Sequence, residues 1–226
     1  MDDDKKMRLY NCAGSRGLRV TWTLAELGMR DAVDLVMLPF PPRAHDKGYF
    51  AVNPLGTVPA LEVGGEYMTE SSAICQYLAE NFGAGALDVA PGSVERAGFL
   101  DLLHHADATL TFPQTVYMRF ALFERDKGLG EAGEAYGTWF ARRLQKIDAR
   151  LATREFLCDA RLTIADIAIG YALYLATRIG LSHHLSPRLV EYLGQLQARA
   201  GFAAALAWES DAAVRAGLGN LTNFLP

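Results

Sequence analysis

Residues 53–82, NPLGTVPALEVGGEYMTESSAICQYLAENF, combine residue types that can hold a small anionic peptide. Thr57-Val58-Pro59-Ala60-Leu61 is a short apolar run with a proline inside it, where a central strand would lose a ladder hydrogen bond. The proline therefore predicts a turn ahead of an edge strand. It also makes a cis Val58–Pro59 bond accessible, because an X–Pro amide prefers trans only weakly. Such a turn leaves the backbone N–H and C=O of Val58 open to an extended ligand. Gly64-Gly65 predicts a tight hairpin, with Tyr67-Met68 starting the returning strand. Glu70-Ser71-Ser72 then opens an apolar helical pattern through Ala73, Ile74, Tyr77 and Leu78. Ser71 is placed to cap that helix, whose free N–H groups and positive dipole end suit a carboxylate. Glu70 beside it can take an ammonium group. Taken singly, Pro59 only shapes a turn and Ser71 only caps a helix; together they suit an α-amino-acid head on a peptide.

A second reactive stretch lies upstream, RLYNCAGSRGLRVTWTLAELG, residues 8–28. Ser15 sits where a glycine-containing loop gives way to a helix, so its hydroxyl and nearby N–H groups can face one anion. Its bland alternative is plain N-capping. Tyr10, at a strand end, offers a phenol for the same task. Cys12 and Ser15 spell Cys-x-x-Ser, a spacing of monothiol redox proteins. There the cysteine starts the helix, whereas Cys12 precedes the Gly14 turn, which predicts a partly buried, inert thiol.

Across these two segments the chain resembles the glutathione transferase family, whose thioredoxin-like domain carries a cis-proline after Val or Ile and then a Glu/Gln-Ser pair. The resemblance covers Met7 to at least Ala216. It implies that Val58 pairs with the cysteinyl backbone of glutathione, a co-substrate needing no metal, and that Pro59 shapes this turn. It further implies that Glu70 and Ser71 hold the γ-glutamyl end. A free thiol has a pKa of about 8.5 and attacks as the thiolate, so the site must favour the anion. The context GSRGLRV is similar to Ser-type members, which puts Ser15 ahead of Tyr10; Tyr-type members carry a shorter loop after the tyrosine. Many members place a lysine before the Val-Pro pair to reach the glycyl carboxylate. Thr57 stands there in this chain, leaving His45, Arg43 or Arg16 to supply a cation. The implied reaction joins glutathione to a small hydrophobic electrophile in detoxification. Lyase, isomerase or peroxidase chemistry on the same fold, or a non-catalytic adaptor, are the alternatives. The resemblance also implies a homodimer, supported here by a long apolar helix pair with Phe99, Leu102, Leu103, Trp139, Phe140 and Leu144.

These segments need a scaffold, and the pattern supplies one: an α/β thioredoxin-like domain over 7–84 followed by an all-helical domain over 94–226. Strands are predicted over 7–12 and 33–38, a helix over 15–27 ended by Gly28, and a linker over 83–93. Helical periodicity then covers 94–124, bent near Pro113, 131–153, 163–179, 186–199 and 202–215. The electrophile is expected between the domains against 94–124, where Phe112, Tyr117, Met118 and Phe120 are candidate walls. Thr163-x-x-Asp166 predicts a capping box rather than a catalytic acid. His104-His105 with Asp107, and His183-His184, match no metal-ligand spacing. Of 226 residues half are hydrophobic and the net charge is −4, with no basic run, which excludes a nucleic-acid footprint. No stretch reaches membrane-spanning length. Three cysteines, Cys12, Cys75 and Cys158, make no disulfide framework and favour the reducing cytoplasm. The opening MDDDKK is a charged stub that can bury nothing, with Met7 expected as the natural start.

Overall fold

The computed structural model of the protein describes residues 6–219; the first five residues of the charged stub and the last seven of the expected 94–226 domain lie outside them. The chain divides into two compact units, one formed by residues up to Ala86 with those from Gln197 on, the other by Leu87–Leu196.

The first unit has the expected thioredoxin-like order: β1 (Met7–Asn11), α1 (Leu18–Glu26), β2 (Val33–Met37), the short α2 (Pro42–His45), β3 (Ala60–Val63), β4 (Glu66–Met68) and α3 (Ser71–Phe82). The sheet order is β2-β1-β3-β4. β1 runs parallel to β2 and antiparallel to β3, which pairs antiparallel with β4. β3 is thus an inner strand, not the edge strand that Pro59 suggested. Pro59 lies one residue before the strand, so its missing N–H costs neither ladder a bond. Gly64 and Gly65, at φ +59° and +84°, turn the hairpin where a side chain would be strained.

α1 is buried at every position from Leu18 to Leu24 because it packs against two helices, α3 and α9 (Ala200–Arg215). Gly28, at φ +69°, ends it, with the Gly28 and Met29 N–H groups closing on the Ala25 and Leu24 carbonyls. α9 is where the unit boundary departs from the expected 94–226. Its periodic apolar face fits either unit; three side-chain contacts fix it to the first. The Trp22 and Phe202 rings meet edge-on at 4.9 Å, Arg199 grips the Glu26 carboxylate at 2.8 and 2.9 Å, and Glu209 reaches the end of β1.

The second unit is helical: α4 (Arg96–His105), α5 (Phe112–Tyr117), α6 (Gly130–Leu151), α7 (Ile164–Arg178) and α8 (Pro187–Gln197). π-helical turns over Ala106–Thr111 and Met118–Phe123 flank α5, so the long run is interrupted around Pro113, whose missing N–H breaks the ladder. α7 is buried without a break from Ile164 to Leu173, on every face, as the apolar residues all round it require of a central helix. The expected linker is firmer than its turn-forming composition suggests. Leu87, Asp88 and Val89 are buried, and the Leu87 carbonyl accepts from Ile164 N–H at 2.8 Å. Among the described residues no helix is long and apolar enough to cross a membrane.

Candidate active site

Strand direction alone gathers the proposed glutathione residues at one end of the sheet. Tyr10 lies opposite Ala60 and Leu61 opposite Met68, so the loop after β1, the turn before β3 and the approach to α3 leave the sheet together. α2, carrying His45, follows β2, which is parallel to β1 and ends there too. The Val58–Pro59 bond is cis. Among the described residues neither the N–H nor the C=O of Val58 has a hydrogen-bond partner. The turn is anchored from the residue before: the Thr57 carbonyl accepts from the Tyr49 hydroxyl at 2.7 Å and from Asn53 Nδ2 at 2.8 Å. Thr57, Arg43 and His45 are exposed.

At the start of α3, Glu70 rather than Ser71 occupies the N-cap position, and the helix has no side-chain cap. Ser71 is the first helical residue, and its hydroxyl turns toward α1. There Ser71 Oγ accepts from Arg19 at 3.1 Å, and Ser72 Oγ lies 3.4 Å from the same nitrogen. Arg19 is fully buried and sets a positive charge beneath the α3 N-terminus, reinforcing its preference for an anion. Glu70 is exposed beside it. Sequence reasoning missed Arg19; a charged residue flanked by Leu18 and Val20 at the start of the helix was the available signal.

Ser15 is buried in the loop before α1, two residues ahead of the Gly17 N-cap. Its hydroxyl donates to Asn11 Oδ1 at 2.8 Å and accepts from Gly17 N–H at 3.1 Å. Asn11 Oδ1 also accepts from Cys12 N–H at 2.8 Å, while Asn11 Nδ2 donates to Glu209 Oε1 at 2.8 Å. Glu209 is almost fully buried and accepts from Thr21 Oγ1 at 2.8 Å and Gly14 N–H at 3.0 Å as well. Burial lifts its carboxyl to about 7, against the opposing pull of these three donors. Sequence reasoning singled out neither Asn11 nor Glu209. Cys12 is fully, not partly, buried, and burial together with the Glu209 charge pushes its thiol far up, which leaves it inert. Tyr10 packs in an apolar cluster with Cys12, Leu38, Tyr49 and Ala60, its ring 5.7 Å from that of Tyr49.

Residues 15–81 match a family model described as glutathione S-transferase, N-terminal domain. Glutathione S-transferase GstA of Escherichia coli O157:H7 is 28% identical over 177 residues, 78% of this chain and 85% of that protein. A glutathione transferase of Phanerochaete chrysosporium, solved in complex with oxidized glutathione, aligns at a TM-score of 0.79 and 25% identity, covering 94% of this chain and 100% of that one. A sphingomonad glutathione S-transferase complexed with glutathione aligns at a TM-score of 0.75 and 26% identity, covering 90% and 98%. The family model, the curated relatives and the solved structures together support the glutathione S-transferase family for this chain.

The second unit holds the other residues raised by the sequence. Phe112 is half exposed and joins Tyr136 and Trp139 in an edge-on aromatic cluster, with centroids 6.1 and 6.5 Å away. Tyr117 is buried, packed so closely that a Cβ on Gly137 would stand 3.2 Å from its ring. Phe99, Leu102, Leu103, Phe140 and Leu144 are all buried in the unit's own core, leaving Trp139 alone of the apolar pair exposed. The interior of a single chain therefore accounts for that stripe. Asp166 is fully buried in the capping box with Thr163 and accepts from Tyr192 Oη at 2.7 Å, which commits it to holding the start of α7. Among the described residues no three His, Cys, Asp or Glu side chains are grouped to hold a metal ion.

Proposed function

We propose that this transferase binds glutathione along the exit end of the first unit's sheet, stabilises its thiolate with the Ser15 hydroxyl and transfers it to a hydrophobic electrophile. The convergence of the open Val58 backbone, the Arg19-backed start of α3 with Glu70 and Ser71, and the Ser15 loop supports this reading. Val58 would pair with the peptide backbone, Ser71 and the α3 N–H groups would take the α-carboxylate, and Glu70 the ammonium. Thr57 in the turn and His45 on α2 are both exposed, as a donor to the glycyl carboxylate must be.

The Ser15 hydroxyl has one proton, shared with Asn11 in the resting protein. Donation to sulfur requires the hydroxyl to rotate, exchanging a neutral bond for a charge-assisted one about twice as strong. Asn11 Oδ1 keeps its Cys12 N–H, so the exchange strands no acceptor. The thiol proton passes to solvent as the thiolate forms; the sulfur lone pair then makes the C–S bond while the leaving group departs with its electrons, or, in an addition, the substrate takes up a proton from solvent. The Tyr10 ring, packed against Tyr49, is the second candidate donor.

We further place the protein in the cytoplasm, on the strength of three free buried cysteines. A homodimer fits the exposed apolar side chains of Leu55, Phe50 and Tyr67 in the first unit. Retention on immobilised glutathione, with elution by free glutathione, tests the reading. A chain that passes through unretained is an adaptor or acts on another thiol.

A further inference from the structure

We propose that Glu209 is the positioning residue of the Ser15 loop: reaching from the C-terminal helix to the end of β1, its carboxylate fixes Asn11, and Asn11 in turn fixes the place of the Ser15 oxygen, about which the hydroxyl turns to sulfur. The inference rests on Ser15 being the thiolate donor. Glu209 and Asn11 are 198 positions apart, so only the return of α9 to the first unit brings them together.

The geometry argues for a task beyond filling space. All three donors to the Glu209 carboxylate belong to one continuous segment: Asn11 at the end of β1, Gly14 in the loop, and Thr21 in α1. One acid thereby ties together the strand end, the turn and the helix that bracket Ser15. Because Asn11 Nδ2 is committed to Glu209, its amide cannot turn over, and Oδ1 must face Ser15 Oγ and Cys12 N–H. The protein makes room for this arrangement at Gly17. A Cβ there would stand 1.9 Å from Asn11 Oδ1, although Gly17 has φ −64°, which any residue can adopt. Gly17 is therefore small for the sake of Asn11. Gly14, at φ +70°, turns its N–H onto Glu209. An apolar residue would fill the same place on α9, beside Ala205, Ala212 and Ala213, without the penalty of burying an acid. That penalty is visible in the carboxyl lifted to about 7.

The test compares Glu209→Ala, Glu209→Gln and Ser15→Ala in the full chain, measuring turnover and the ultraviolet thiolate band of bound glutathione across pH. Glu209→Ala should raise the bound thiol pKa by about 1 unit and cut kcat about tenfold, with KM for glutathione within about twofold. Glu209→Gln should recover most of the loss, because its amide oxygen still accepts from Asn11 and Thr21. Glu209→Asp, whose shorter arm draws the carboxylate back from Asn11, serves if the alanine variant does not fold, and it should raise the thiol pKa too. A folded Glu209→Ala or Glu209→Asp with the parent thiol pKa and kcat overturns the proposal, even if its melting temperature falls. So does a Glu209→Gln as impaired as the alanine variant. If Ser15→Ala itself leaves the thiolate band unmoved, the serine reading fails first, and that outcome is distinct because it needs no change at Glu209.

Discussion

Glu209 should leave a signature in stability that is separate from its effect on turnover. Its carboxyl titrates at about 7 in the folded chain, against 4.5 ordinarily, with burial as the main cause. A folded-state pKa above the unfolded one means that the native state binds the proton more tightly. The resulting stabilisation is fully present below pH 4.5 and is lost as pH rises through 7. The shift spans about 2.5 pH units at about 1.4 kcal/mol each, so roughly 3.5 kcal/mol should disappear in all, about 3 of it between pH 4.5 and 7. Other carboxylates overlay this slope: Glu95 and Asp101 are held low by Arg154 and Lys146 and act in the opposite sense. The difference between the parent and Glu209→Gln cancels them. Glutamine carries no charge at any pH, and its lost bond from Gly14 N–H is a constant offset of about 1 kcal/mol. Urea unfolding at half-unit steps from about pH 4.5 to 8, in a Trp139→Phe background, would follow the first unit through Trp22 and Trp208. The Glu209→Gln advantage should grow by about 3 kcal/mol between pH 4.5 and 7 and then level off. A difference that stays flat over this range would mean that Glu209 is ionised throughout, held by its three donors, and would falsify the burial argument.

Ser15→Ala should lower turnover about 10²-fold with little change in glutathione affinity, while Tyr10→Phe should leave both near parent; the reverse pattern in the thiolate titration makes Tyr10 the donor. Glu70→Ala and Ser71→Ala should each weaken glutathione binding by about 1.5–3 kcal/mol by calorimetry, and unchanged affinity in both removes the proposed ligand role. Gly17→Ala should cost about 1–3 kcal/mol by displacing Asn11, read as a lower urea midpoint, and a midpoint equal to parent means that Asn11 yields freely. Light scattering at micromolar protein should return twice the chain mass of 24.7 kDa, and a single-chain mass with full activity ends the dimer reading.

Local signals carry most of the fold and part of the candidate site. Gly28 stopping α1, Gly64-Gly65 turning the hairpin, and Thr163 with Asp166 opening α7 are short-range devices, and each stands where its chemistry predicts. Pro59 does form a turn, but β3 lies inside the sheet, because a proline one residue outside a strand no longer constrains which ladders it joins. Serine at a helix start commonly caps it, which is why Ser71 suggests a cap. A single-residue shift at the helix start instead turns its hydroxyl toward Arg19, and no local pattern distinguishes these two outcomes.

The parts that stay hidden in the sequence share one physical trait: each is a polar side chain whose partner lies far along the chain. Arg19 meets Ser71 at a separation of 52 residues, and Asn11 meets Glu209 at 198. Propensity and periodicity see only neighbours within a few turns, so an acid that follows the apolar run FAAALAW of residues 202–208 reads as an exposed position on a helix. A buried acid has a stricter requirement than an apolar residue, since it must find donors or lose its charge. That requirement makes the pairing of α9 specific. Ala205, Ala212 and Ala213 would pack against many surfaces, but Glu209 is satisfied only where Asn11, Gly14 and Thr21 point at one place. The helix that completes the first unit is thus selected by the same three donors that bracket Ser15, which couples the docking of the C-terminal segment to the geometry of the proposed thiolate donor.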